Sequence, residues 1–240
     1  MTQIGIGIIG GGYMGKAHAV AMSAVGAVFN TSLRPKLEMV CATTPATAEA
    51  HRKALGFARA THDWQVLVAD PLVQAIIIAS PQETHRAIAE AAFALGKPVF
   101  CEKPLGASLE DSCAMVAAAA GAGAVNMVGF NYIRTPASQY ARALIAGGDI
   151  GDVTWFGGEH TEDFYADPTL PVHWRSSGIA NGTMGDLAPH MINAALALIG
   201  PIASLIAEVE TVHHTRPGGT VTNDDQAQMM CRFEIGRAHV

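Results

Sequence analysis

The chain has 240 residues, half of them apolar and only 15% charged. That composition excludes a disordered chain and fits one large domain or two smaller ones around a buried core. A formal charge of −6 gives no reason to expect nucleic acid or an anionic membrane as partner. Cys41, Cys101, Cys113 and Cys231 form no C-x-x-C pair, and three of them sit in apolar runs. Free thiols in a reducing cytoplasm are therefore expected, with no metal site. The chain enters an apolar strand almost at once, without a basic leader, which argues against a signal peptide.

Gln3 to Ile9 reads as a strand running into Gly10-Gly11-Gly12-Tyr13-Met14-Gly15, after which Ala17, Ala21 and Val25 mark a helix. A glycine triplet alone is weak. Between a strand and a helix it has a mechanism: Gly10 turns the chain, Gly12 lets the backbone approach a pyrophosphate, and Gly15 allows close helix–strand contact. A long link, residues 27–36, leads to a second strand, Leu37 to Ala42. An NAD-preferring fold of this type places a carboxylate at that strand's end to bond the ribose. Here the end is Thr43-Thr44, and Glu38 stands at the strand's start. The cofactor is thus NAD or NADP, with a slight lean to NADP.

Thr47 to Leu55 reads as a helix, Ala60-Thr61 as a connection, and Trp64 to Val68 as a short helix. Val73 to Ala79 is an apolar strand, followed by Ser80-Pro81 and His85 and then a helix, Arg86 to Leu95. A strand from Val99 ends in Glu102-Lys103-Pro104, so Lys103 emerges past a strand's carboxyl end, where parallel α/β sheets bind ligands. An isolated Glu-Lys-Pro is more often a plain surface turn, and the rest of the chain decides between the two. A helix from Ser108 to Ala120 and a strand from Val125 to Phe130 complete a β-α alternation, the pattern of a doubly wound parallel sheet.

Beyond Phe130 the pattern changes. A helix is predicted over Ala137 to Ala146, an exposed-face strand over Asp152 to His160, and an irregular stretch over Asp163 to Arg175. That stretch is either a functional loop or a surface excursion. Leu187 to Ala207 is long and apolar but is broken by Gly200-Pro201, so it reads as a buried helix followed by a strand and not as a membrane span. Asp186 and His190 lie one helical turn apart near Pro189, which a helix tolerates only in its first turn. Strands over Ala203 to His213 and Asp225 to Phe233 flank a Gly218-Gly219 turn and suggest an antiparallel sheet. The expected architecture is a Rossmann-type α/β domain, residues 1–130, followed by an incomplete α+β domain with a mainly antiparallel sheet, residues 131–240.

Several motifs now coincide: the loop Gly10 to Gly15, Ser80-Pro81 with His85, Glu102-Lys103-Pro104, Gly129-Phe130-Asn131-Tyr132-x-Arg134, and Gly185-Asp186-x-x-x-His190. Together they resemble the Gfo/Idh/MocA family, the glucose–fructose oxidoreductase and inositol dehydrogenase group. The resemblance implies NAD(P)-dependent oxidation of a sugar, polyol or related secondary alcohol, or reduction of the ketone. It implies Lys103, Asp186 and His190 as catalytic residues. Gly10, Gly12, Tyr13, Met14, Gly15, Thr43, Thr44, Ser80, Pro81, His85, Glu102, Lys103, Asn131, Trp174 and Arg175 would bind the cofactor. It also implies a cis Lys103–Pro104 bond. An imidazole with an unperturbed pKa of ~6.5 can exchange the hydroxyl proton near neutrality, while Lys103 can stabilise the oxygen's developing charge. Which of the two is the formal base stays open.

Two other readings share these motifs: an NAD-dependent glycosidase or lyase working by transient oxidation, and a non-catalytic NAD(P)-binding sensor. A small-molecule sugar or polyol is the expected partner, and a homo-oligomer through the second-domain sheet is expected of the full-length protein. Family members run longer. Ile235 to Val240 abandons the strand alternation and can be spelled by a widely used sequencing adapter, so residues from about 235 are expected to be read-through and the natural chain to continue.

Overall fold

The structure is a computed structural model describing residues 2–234. Its packing divides the chain into two units, Met1–Gly129 and Phe130–Val240.

The first unit is built on six parallel strands: β1 (Thr2–Ile9), β2 (Leu33–Cys41), β3 (Arg59–Thr61), β4 (Ala75–Ile78), β5 (Val99–Cys101) and β6 (Asn126–Val128). Their order is β3-β2-β1-β4-β5-β6. Strand order reverses between β1 and β4, the switch point at which such sheets open a crevice at their carboxyl edge. The central strands are continuous apolar runs because both faces are covered. Ile9, Ile76 and Ile78 pack with Leu67, Ile88 and Phe93 on one side, and Ile6, Ile8 and Ile77 pack with Ala19 and Phe57 on the other.

The helices are α1 (Tyr13–Val28), α2 (Pro45–Leu55), α3 (Trp64–Ala69), α4 (His85–Ala94) and α5 (Leu109–Ala122). Local chemistry sets several boundaries. Thr44 and Ser108 cap α2 and α5 by accepting from the backbone N–H of Thr47 and Asp111. Gly56 and Gly123 end the same helices in left-handed geometry.

Three readings of this unit are corrected. The link before β2 is only residues 29–32, because β2 begins at Leu33. Pro35 hides the strand from a pattern reading, yet it is tolerated because β3 pairs only with Met39–Cys41, leaving β2 an edge at that point. Ala60-Thr61 belongs to β3, whose three residues are too few to show an alternation. Glu38 is not near a strand terminus but buried mid-strand, 2.7 Å from Lys36 Nζ and 2.8 Å from Arg59. Those two cations, Lys36 first, hold its carboxyl below the usual range. Arg59 also grips Asp70, whose carboxyl it pulls down to about 2.

The second unit is thinner. It contains four short helical turns, α6 (Pro136–Gly147), α7 (Ala188–Leu198), an antiparallel pair β7 (Ile202–Glu210) and β10 (Gln226–Phe233), and a small hairpin β8 (Thr215–Arg216) and β9 (Gly219–Thr220). Ala195, Cys231 and Phe233 form its core, with Phe156, Ile199, Ile202 and Met229 packed around them. The strand expected over Asp152 to His160 is absent. That segment carries no regular secondary structure and among the described residues has no ladder partner, and alternation without a neighbour does not make a strand. Leu187 to Ala207 divides at Gly200-Pro201 into α7 and β7, and no helix among the described residues is long and apolar enough to cross a membrane. The read-through expected from residue 235 falls outside the described residues.

Candidate active site

In the first unit, the glycine loop leaves β1 at the sheet's carboxyl edge. Gly10 has φ +98°, and a Cβ there would lie 2.3 Å from the Ala79 carbonyl oxygen. A Cβ on Gly15 would meet the Gly10 carbonyl, and one on Gly11 would strike the His51 ring. Gly12 differs, since nothing lies within 4 Å of its would-be Cβ. It begins α1 without a side-chain cap, and no acidic residue occupies the helix's first turn. Open space beside uncapped N–H groups and the positive helix end is the environment a pyrophosphate needs, so these residues fit a dinucleotide. Tyr13 is fully presented to solvent beside the loop and Met14 is half-buried. Thr43 and Thr44 are exposed just past β2, with Thr44 engaged as the α2 cap.

Glu102-Lys103-Pro104 leaves β5 at the same edge, one strand beyond β4, and the Lys103–Pro104 bond is cis. Two histidines hold this turn. His85 is 1% exposed. Its Nε2 lies 2.8 Å from the Ser80 carbonyl oxygen, and its Nδ1 lies 3.2 Å from those of Pro104 and Leu105. His85 therefore ties the Ser80-Pro81 loop to the turn from beneath, with backbone carbonyls against both ring nitrogens. The second is His18, on α1, whose Nε2 lies 2.7 Å from Glu102 Oε1. Cys101, directly before the turn, is inert: burial first, then the Glu102 charge, push its thiol up to about 12.

In the second unit, Thr183–Leu187 forms a π-helical turn ahead of α7, a feature frequent at functional sites. Gly182 and Gly185 permit it, since a Cβ on Gly182 would meet the Asp224 carboxylate and one on Gly185 the backbone of Ile179 and Ala180. Asp186 lies in this turn and pairs with Arg175 Nε at 3.1 Å. The Arg175 guanidinium stacks 4.2 Å from the Trp174 ring and 5.3 Å from Phe164. Arg175 and Asp186 line a cleft of about 270 Å³ whose wall mixes polar groups, among them Glu162, Thr183 and Asp224, with apolar ones such as Phe164 and Leu187. The irregular stretch is anchored: buried Arg216 donates to the carbonyls of Tyr165 and Asp167, and Asn223 donates to that of Arg175. His173 accepts from the Arg175 N–H through Nδ1, and burial, then Arg175, depress its pKa.

His190 is buried in the first turn of α7 among aromatic rings: Tyr132 at 4.5 Å, His160 at 5.5 Å and Phe130 at 6.0 Å between centroids. His160 in turn lies 3.0 Å from Glu162 Oε1. Asn131 is exposed at the head of the turn carrying Tyr132. Sequence reasoning missed His18, Tyr132 and His160 as site residues. The spacing Gly15-x-x-His18 places that imidazole one turn into α1 and could have drawn attention to it. Nothing in the sequence around His160 signals its approach to His190.

Residues 4–130 match a family profile described as the oxidoreductase family with an NAD-binding Rossmann fold, and residues 138–240 match the GFO/IDH/MocA C-terminal domain. The chain belongs to the Gfo/Idh/MocA family. Levoglucosan dehydrogenase of Pseudarthrobacter phenanthrenivorans is 35% identical over 98% of this chain and 66% of that protein. Inositol 2-dehydrogenase of Rhizobium meliloti is 33% identical over 81% of the chain and 54% of its own length. Among solved structures, levoglucosan dehydrogenase in complex with NADH and levoglucosan superposes with a TM-score of 0.96 at 36% identity, covering all of this chain and 66% of that one. An NAD binding oxidoreductase from Klebsiella pneumoniae gives 0.93 at 38% identity over the same shares. This Gfo/Idh/MocA chain thus spans just under two thirds of the longest-matching relatives and about half of others.

Proposed function

We propose that the protein is an NAD(H)-dependent dehydrogenase that oxidises a secondary alcohol of a sugar, anhydrosugar or inositol-like polyol, or reduces the corresponding ketone. The observation that carries this reading is the placement of Lys103 at the same carboxyl edge as the open glycine loop, with only β4 between their strands. A nicotinamide bound there supplies the hydride acceptor or donor. Lys103 is then the group that hydrogen-bonds the reacting oxygen and stabilises its charge, with its turn fixed by His18 and His85. His190 takes or returns the hydroxyl proton, and Asp186, oriented by Arg175, offers a carboxylate to substrate hydroxyls. The ring-lined surroundings of His190, together with the His160–Glu162 pair, suit a hydroxyl-rich ring.

NAD is preferred here to NADP. Thr43-Thr44 has no cation in the adjoining helix turn, because the basic residues of α2, Arg52 and Lys53, lie in its last turn and pair with Glu49. The family description and the relatives' NADH complexes support the same choice.

Incubating the chain with NAD⁺ or NADP⁺ and a panel of levoglucosan, inositols and simple sugars tests this. The expected result is reduced cofactor accumulating with at least one ring alcohol, faster with NAD⁺. Product without net reduction favours transient-oxidation chemistry, and cofactor binding without turnover favours a sensor.

A further inference from the structure

We infer that His18 is a positioning residue for the Lys103 turn, acting through Glu102 and tying that turn to the glycine-loop helix. The inference rests on the dehydrogenase reading and adds a residue to it.

The Glu102 carboxylate is enclosed, its side chain 8% exposed and that of His18 13%. Oε1 accepts from His18 Nε2 at 2.7 Å, and Oε2 lies 3.3 Å from the Lys103 backbone N–H. A Cβ on Gly129 would sit 3.0 Å from both carboxylate oxygens, so glycine at the end of β6 is what lets the carboxylate lie there. The His18 ring is itself fixed, edge-on to Phe100 at 4.9 Å. An enclosed carboxylate with a partner this short is costly to orphan: losing the imidazole leaves it desolvated and free to turn. Any turn of Glu102 is felt next door, because it also bonds the Lys103 backbone. At the other end, His18 stands three residues beyond Gly15, so the side chain that fixes Glu102 rides on the helix whose N-terminus faces the cofactor. The bridge gives that helix and the lysine turn one shared alignment. His18 does this without touching the reacting atoms.

Two substitutions separate this role from bulk packing. His18→Phe keeps a ring against Phe100 and removes the donor. His18→Gln places an amide N–H near the former Nε2. For His18→Phe, kcat is expected to fall about 10–100-fold, the usual scale for losing the outer partner of a site group, with the alcohol KM within about twofold. NADH affinity, followed by fluorescence titration, falls with it, and His18→Gln restores both to within about threefold. In the double variant with Glu102→Gln, the losses are expected to be strongly non-additive. Wild-type kcat and NADH affinity in His18→Phe, equal impairment of the Phe and Gln variants, or additive losses in the cycle each overturn the proposal. If the wild-type chain turns over no alcohol, the dehydrogenase reading fails on its own. The NADH titrations then decide the role of His18 alone: affinity lost in His18→Phe and restored in His18→Gln supports it, and any other pattern overturns it.

Discussion

The two units hold their candidate functional residues by different means. In the first, Lys103 leaves a strand buried on both faces, and its turn is braced by buried His85 and partly buried His18 through bonds made inside the unit. In the second, among the described residues only Ala195, Val221, Cys231 and Phe233 are fully buried apolar side chains. His190 stands among rings carried by a 3-10 turn, the residues just before it and a segment without regular secondary structure. Among the described residues, strands β7 and β10 pair only with each other, and they expose Leu205, Ile206, Val209 and Met230. A lone two-stranded pair is marginal in water. Rigidity is therefore concentrated around the lysine, while the region around the histidine depends on side-chain stacking and loop anchors.

If both residues serve the chemistry, that structural difference should vanish in turnover. Lys103→Ala and His190→Ala are each expected to lower kcat about 10²–10⁴-fold while leaving NADH affinity within about threefold. A loss confined to one of them breaks the symmetry of role. Hydrogen exchange reads the rigidity directly: β1 and β4 amides should exchange at least about a hundredfold more slowly than those of β7 and β10, and equal protection would overturn the contrast.

Arg59→Leu tests what braces the first unit. It takes the guanidinium away from Asp70 and leaves Glu38 with Lys36, and about 2 kcal/mol of unfolding free energy should be lost. That is less than for a fully buried pair because the Arg59 side chain is 38% exposed. Exchange in the second unit should be unchanged. The pH dependence has a fixed sign. Asp70 and Glu38 have folded-state pKa values below the unfolded ones, so their stabilisation is present above the unfolded pKa. For Asp70 it is lost as the pH falls from about 4 toward about 2, and for Glu38 as the pH falls below the ordinary carboxylate range. Acid titration of β1 and β2 protection should show that loss, and Arg59→Leu should flatten it. The smallest effect is on the second unit's surface. Ile206→Lys should change folding stability by less than about 0.5 kcal/mol yet reduce self-association in sedimentation, because it breaks an exposed apolar strand face.

The first unit was readable because its information is local. Glycines that must turn, caps such as Ser108, and strands buried on both faces all announce themselves in short windows. Its misreadings arose where a neighbour decides: β3 exists because β2 offers it an edge, and Glu38 is buried because Arg59 reaches it from another strand. The same applies to the candidate residues. Lys103, Asp186 and His190 were singled out by motif, whereas the bond from His18 to Glu102 spans 84 positions and the rings beside His190 come from separate segments. The strand expected over Asp152 to His160 failed because alternation records a face, while a strand also needs a partner.

The glycine loop has one more consequence. Of its four glycines, Gly10 and Gly15 are held to glycine by backbone and Gly11 faces the His51 ring, whereas Gly12 has φ −68° and empty space before it. Alanine at position 12 should therefore cost the fold less than about 1 kcal/mol while placing a methyl group where a pyrophosphate would approach. One methyl group at this position would separate being folded from being loaded, giving a correctly shaped but cofactor-blind chain as a control for every measurement above.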